Sequence, residues 1–326
     1  MRLAVVGGGV AGCSVAYFAA RAGADVVLVD AGVGRASDVP AALVNPVRGQ
    51  NGRVPPRALE GMRVTWALVN ELEAAGYVIP HDRSGVFRPV PDARTQQKWA
   101  QELPSDLRFE WRAPTDVTGL TVEWHSVLHV LDGGWLDGAQ FVRALREASG
   151  ATVIASWARE VTPGRVTLET GVDVRADAVI WCGGSIGASR GGFGGLHRRG
   201  TLLLLDAALT EQPVSYGVYA APSRGGGVLG ATFETPDSMY REAPVPLASL
   251  AWLTASSARL FGSARVGVTG QWSGSRYASN SATFASTPSV TGLGSKGFLL
   301  GPLLAREAAS RLGLPTTAPS NDSRAP

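Results

Sequence analysis

Three glycines near the start of the chain, Gly7, Gly9 and Gly12, carry the clearest chemical signal in the sequence. In the G-x-G-x-x-G spacing the first makes a tight turn and the second lets a pyrophosphate approach the backbone. The third lets a helix pack closely on a strand. The helix opening at Val10 and Ala11 then turns its free N–H groups and the positive end of its dipole toward the phosphates. Asp30, followed by Ala31, stands eighteen residues beyond Gly12. That is close to the ~20 expected of the acid that binds a ribose hydroxyl. An acid there argues against a 2′-phosphate on the nucleotide.

Other chemistry-bearing residues point to no metal and no protein nucleophile. Cys13 and Cys182 are the two cysteines. One falls in the glycine-motif helix and the other ends an apolar strand, so both read as small core fillers. Of His81, His125, His129 and His197, only His125 and His129 stand at i, i+4. Their segment reads as a strand, which holds them too far apart to share a zinc ion. His197, Arg198 and Arg199 form a small basic cluster, read as a solvated loop. The formal net charge of +3 permits an acidic or nucleic-acid partner and argues for neither.

The glycine motif needs a strand before it and a helix after it. Leu3–Val6 is a short apolar run suited to a buried parallel strand. A helix over Val10–Ala22 is ended by Gly23, and a second strand, Val26–Val29, leads to Asp30. A long irregular stretch, 31–56, follows; loops of that length are usually functional. Leu59, Met62, Trp66 and Val69 recur at helical spacing, and Gly76 ends that helix. Residues 77–131 read as β-rich. Asp137 caps a helix with Gln140 at the capping-box position and Phe141, Val142 and Leu145 facing inward. Trp66 and Trp135 sit on patterned apolar faces and read as core. Thr152–Ile154, a meander over 160–175 and the buried strand Ala178–Trp181 come next. Residues 201–233 are again β-rich, a helix spans about 245–260, and a last helix is expected to open at Pro302. The tail from Pro315 reads as disordered. A first strand at Leu3 leaves no room for a signal peptide, and no apolar run is long enough to span a membrane. A soluble, cytoplasmic protein without a membrane partner is the expectation. The pattern is a nucleotide-binding layer entered three times, with β-rich insertions.

With those elements placed, the chain resembles the D-amino-acid-oxidase-like family of flavoproteins, the group holding glycine oxidase and sarcosine oxidase. The resemblance runs from Leu3 to about Leu312. Five stretches carry it: the N-terminal βαβ; Gly133-Gly134-Trp135-Leu136; the strand Ala176–Trp181 with Cys182-Gly183-Gly184; Tyr219-Ala220-Ala221-Pro222 with Gly230-Ala231-Thr232; and Gly274-Ser275-Arg276 with the closing Gly292–Phe298 loop. The second and last are also similar to the oxidoreductase half of a bifunctional tRNA-modifying enzyme. Three departures stand out. Ala36–Val39 replaces an A-S-G-N run of that tRNA enzyme. No Asp-x-x-P follows Arg276. Ser295 occupies a position where glycine oxidase carries arginine.

The resemblance implies an α/β fold in which a Rossmann-like FAD-binding domain of the glutathione-reductase type is interleaved with an antiparallel-sheet substrate domain. The expected FAD domain is 1–76, 134–200 and 265–314; the substrate domain is 77–133 and 201–264. FAD would be bound non-covalently. Gly7, Gly9, Val10, Ala11, Gly12, Asp30, Ala31, Val44, Asn45, Gly183 and Gly184 would contact it, with Val161 reaching adenine through its backbone. Gly292, Gly294, Ser295, Lys296, Gly297 and Arg276 would close over the flavin. Arg276 would grip a substrate carboxylate bidentately, and Tyr219 would add a second hydrogen bond. Lys296 would stabilise negative charge near the flavin N1–C2 carbonyl. The implied activity is oxidation of a glycine-type primary or N-substituted amino acid at the carbon beside its amine. Hydrolysis of the imine and reoxidation by O2, with peroxide as product, would follow. Two alternatives stand beside it: oxidative cleavage of carboxymethylaminomethyl-uridine in tRNA, and a flavin-binding protein with little oxidase activity.

Overall fold

Side chains along the first two strands alternate between two faces, and that alternation sets the layers. The computed structural model describes residues 1–262, 265–279 and 287–314; the tail from Pro315 lies outside them. Arg2–Val6 lies between Ala178–Trp181 and Asp25–Val29 in a four-stranded parallel sheet whose far edge is Thr152–Ile154. Leu3, Val5, Val26 and Leu28 point to one side, into a core shared with helices. Ala4, Val6, Val27 and Val29 point to the other, against Val166, Leu168 and Val174. The latter belong to the antiparallel meander Ala158–Thr162, Arg165–Leu168 and Asp173–Arg175. Period-two alternation with both faces apolar is what a strand covered on both sides requires.

The helices are α1 (Val10–Arg21), α2 (Ala58–Ala74), α3 (Ala93–Glu102), α4 (Gly138–Ser149), α5 (Gly184–Arg190), α6 (Leu247–Phe261) and α7 (Gly297–Arg311). Helices α1, α2, α4 and α7 pack together over the first face of the parallel sheet. Asp137 caps α4 by accepting from the Gln140 amide at 3.0 Å. Trp66 and Trp135 are buried, as their apolar faces predict.

A second, eight-stranded sheet lies beside this assembly. Its order is 268–278, 196–205, 226–230, 218–223, 214–216, 86–90, 126–130 and 109–112. All pairs are antiparallel except Val214–Tyr216 with Val86–Val90. One face is covered by α6, with Leu253, Leu260 and Phe261 packed on Leu203, Leu205 and Val218. The opposite face presents Leu202, Tyr219, Ala221 and Trp272 toward Ala41, Leu43 and Trp135.

Several expectations need correction. Helix α3 interrupts the stretch expected to be β-rich, and Asp92 caps it by accepting from the Thr95 amide at 2.7 Å. The irregular stretch after Asp30 contains a short strand, Ala42–Val44, paired with Gly134–Leu136. His197 is no solvated loop residue. It lies in the long strand Leu196–Leu205, is buried, and stacks on Tyr277 at 5.0 Å. Helix α7 opens at Gly297, and Pro302 falls inside it. Proline lacks the N–H that would satisfy the Phe298 carbonyl four residues back. The buried Thr65 hydroxyl of α2 donates to that carbonyl at 2.7 Å. Gly61, one turn earlier on α2, lets the two helices meet; a Cβ there would stand 2.0 Å from the Leu299 carbonyl oxygen. Among the described residues, no helix is long and apolar enough to cross a membrane.

Candidate functional site

Two adjoining cavities open where the parallel sheet meets the inner face of the large sheet. They share Val10, Ala36, Ser37, Arg276 and Gly294.

The first cavity is built on the glycine turn. Gly7 has φ of +103°, and a Cβ on it would stand 2.5 Å from the Cys182 carbonyl oxygen. A Cβ on Gly12 would lie 1.8 Å from the Gly7 carbonyl oxygen. Gly12 therefore packs α1 against the turn and lines neither cavity. Gly9 differs: a Cβ there would meet only Ser37, the nearest atom at 3.1 Å, so its backbone is open to the cavity. No side chain of Gly9 caps α1, and no acid stands in its first turn. The helix therefore offers amides and its positive dipole end to an anion. The Val10 amide donates to Ser37 Oγ at 3.0 Å.

Asp30 lines this cavity beside Ala31. Its carboxylate accepts from the Gly8 amide at 3.0 Å and pairs with Arg35 at 3.0 Å. Arg35, which sequence reasoning missed, also lies 3.5 Å from Asp38. Ala11, Val161, Gly183, Gly184 and Gly292 line the same cavity, with Cys182. Burial pushes the Cys13 and Cys182 thiols up to about 12, so both remain protonated near neutrality. Ser185 lines the floor and joins Ser275 Oγ at 2.6 Å and His197 Nδ1 at 2.8 Å, a buried polar chain not anticipated from sequence.

The second cavity lies under the large sheet. Tyr219, Asn45, Ser295 and Gly297 line it, with Phe233 and Trp272 as aromatic walls. Asn45 is occupied locally, its Oδ1 accepting from the Val47 amide at 3.0 Å. Arg276 reaches both cavities. Its Nη2 donates to the Thr232 carbonyl at 2.7 Å, and the guanidinium lies 4.4 Å from the Phe233 ring centroid. Burial lowers its pKa to about 10. Gly200 makes room for it: a Cβ there would fall 2.1 Å from Nη2. The Tyr219 hydroxyl donates to the Ala41 carbonyl at 2.8 Å, so its proton is committed to the backbone. Burial raises its pKa well above the ordinary value.

Besides Gly12, two further expected contacts fall outside. Val44 is fully buried in its strand and lines neither cavity. Lys296 caps α7 and lines neither as well, because the short turn Gly294–Lys296 directs the loop's backbone inward at Gly294 and Gly297. Sequence reasoning also missed Arg48 and Arg88, which both line the second cavity. The one signal for Arg48 was its place in a long structureless loop.

Residues 2–311 match the family model described as FAD dependent oxidoreductase. The chain belongs to this family of FAD-dependent oxidoreductases. It is 29% identical to the tRNA 5-methylaminomethyl-2-thiouridine biosynthesis bifunctional protein of Caulobacter vibrioides, over 95% of this chain and 54% of that protein. The corresponding protein of Maricaulis maris is 28% identical, over 97% and 53%. The chain thus spans about half the length of the curated relatives it matches. Iminodiacetate oxidase from Chelativorans sp. has a similar fold, with a TM-score of 0.82 at 20% identity over 97% of this chain and 96% of that one. Glycine oxidase from Bacillus cereus gives 0.81 at 20% identity, over 96% and 94%.

The donor set of this family member fits an FAD. The α1 terminus, which carries no acid and gives its Val10 amide to Ser37, suits a pyrophosphate beside the open Gly9; Asp30 suits a ribose hydroxyl, and the Gly292–Gly297 backbone borders the passage into the second cavity.

Proposed function

We propose that this FAD-dependent oxidoreductase oxidises the carbon beside the amine of a glycine-type amino acid, primary or N-substituted. The observation that carries the reading is the place of Arg276, at the junction of the nucleotide cavity and a cavity that, among the described residues, has no Asp, Glu or His in its lining. A guanidinium there matches a substrate carboxylate bidentately. FAD, when bound, supplies the acceptor for two electrons. Arg276 holds the carboxylate and so fixes which C–H bond faces the junction. The cavity's positive field and apolar walls disfavour an ammonium, so the amine enters as the free base with its proton left to solvent. Loss of hydride from the neighbouring carbon leaves a C=N bond. Water adds to that bond and releases an oxo acid and an amine. O2 is the proposed terminal acceptor, and FAD is proposed to be held without a covalent link; Cys13 lines neither cavity.

A second reading has the same bond cleaved on carboxymethylaminomethyl-uridine in tRNA. The likeness to the tRNA-modifying relatives over nearly the whole chain favours it. Anaerobic absorbance titration of the flavin band separates the two. Glycine, sarcosine or D-alanine should bleach it if free amino acids are the substrates. Bleaching only by the modified tRNA, with affinity falling steeply as salt rises, would replace the first reading by the second. Bleaching by none of them, nor by an N-carboxyalkyl glycine, would overturn both.

A further inference from the structure

Three arginines line the second cavity, and among the described residues no carboxylate lines it with them. Arg48, Arg88 and Arg276 all line it, and among the described residues none of the three forms an ion pair. Like charges gathered around apolar walls repel, and an anion between them relieves that repulsion. Arg276 accounts for one anion. Arg48 approaches from a different wall, the loop after Ala42–Val44, while Arg276 descends from strand Val268–Ala278.

Arg48 is held ready for a ligand. Its Nη2 donates to Ser295 Oγ at 2.6 Å, which leaves most of its five N–H donors uncommitted. Arg88 fixes the turn that carries it. The buried Arg88 guanidinium donates to the Val47 carbonyl at 2.9 Å and also to the Gly49 carbonyl, the residues on either side of Arg48. Arg88 in turn lies 5.4 Å from the Trp99 ring centroid. A fully buried arginine spent on two backbone carbonyls makes sense as a brace for its neighbour.

We propose that Arg48 is a second anion subsite, and that the preferred substrate is a secondary amine with an acidic arm on each side of nitrogen, one arm on Arg276 and the other on Arg48. Arg88 is a positioning residue. The inference rests on the amine-oxidation reading of the same cavity, but its test does not need turnover. Thiodiacetate carries two carboxylates and has sulfur in place of the amine, so it forms no imine; (methylthio)acetate is its single-carboxylate counterpart.

Calorimetric titration of the FAD-loaded protein should give thiodiacetate, or its homologue with one longer arm, an affinity about 10- to 100-fold above (methylthio)acetate, the range of one charge-assisted hydrogen-bond pair. Arg48→Gln should reduce that advantage to within about 3-fold and leave (methylthio)acetate binding unchanged; Arg48→Lys should retain part of it. Equal affinity of the native protein for one and two carboxylates overturns the proposal, whatever the variants do. Arg48→Gln weakening both ligands alike also overturns it, and would place Arg48 on the flavin. Failure of the amine-oxidation reading shows up separately, as an unbleached flavin band with N-substituted glycines.

Discussion

At the scale of single residues the site is a set of charges with unequal freedom. Arg276 is largely buried at the junction of the two cavities, with one bond to the Thr232 carbonyl. Arg276→Gln should lower kcat/KM for a carboxylate-bearing amine by about 100- to 1000-fold, since truncating one partner of a desolvated pair costs about 2–5 kcal/mol. Flavin content should hold, and stopped-flow flavin reduction checks the loss. Burial lowers the Arg276 pKa to about 10, with Arg48 and Arg198 also pulling it down and Tyr219 and Glu234 pulling it up. The group grips a carboxylate only while protonated. Once the free-base fraction of the substrate amine is divided out, kcat/KM, which reports the free enzyme, should therefore fall as pH rises through about 10. A profile flat to pH 11 would remove Arg276 from carboxylate binding. Arg276 was legible through the short Gly274-Ser275-Arg276 motif, and the glycine turn through its spacing. Arg48 and Arg88 were not, because forty residues separate them and only the fold brings the Arg88 guanidinium to the carbonyls on either side of Arg48. Tyr219 was legible as a position. Its commitment to the Ala41 carbonyl, far away in sequence, was not.

Elements show the same division between local and distant causes. The strand–turn–helix–strand unit, the Asp137 cap and the antiparallel meander follow from patterns a few residues long, and all form as read. Helix α3 carries a mean composition too polar to announce itself, and buries one large side chain, Trp99. Proline at the sixth residue of α7 suggested a helix start, because the compensation for its missing N–H comes from another helix. Thr65→Val tests that compensation. It keeps the side-chain volume and strands a buried carbonyl, so unfolding should become easier by about 1–3 kcal/mol. Thermal unfolding of the FAD-loaded protein measures it, and an unchanged midpoint would show that the Phe298 carbonyl needs no outside donor.

For the whole molecule, the cofactor joins what the chain only approximates. The first cavity draws its lining from the N-terminal turn, the middle of the chain and the C-terminal loop. A ligand spanning these segments binds the native state alone. Saturating FAD at about 100 times its dissociation constant should add about 2.7 kcal/mol to stability. Differential scanning fluorimetry should show that gain in the native protein and none in Gly12→Ala, whose new methyl would lie 1.8 Å from the Gly7 carbonyl. A shift of equal size in the variant would place the nucleotide elsewhere.

Contact between the first helix and the last has a consequence for how the protein is made. Helix α1 rests on α7, and α2 rests on α7 through Gly61. Ribosomes build chains N-terminus first at roughly 5–20 residues per second, so the surface of α1 waits about fifteen seconds to a minute for its partner. Throughout that interval Val10, Ala11 and Gly61 lack their final cover. Vectorial synthesis thus leaves the nascent chain with an exposed apolar half-site, and a stop codon anywhere before residue 297 should yield an insoluble product, which sedimentation of the expressed fragment checks.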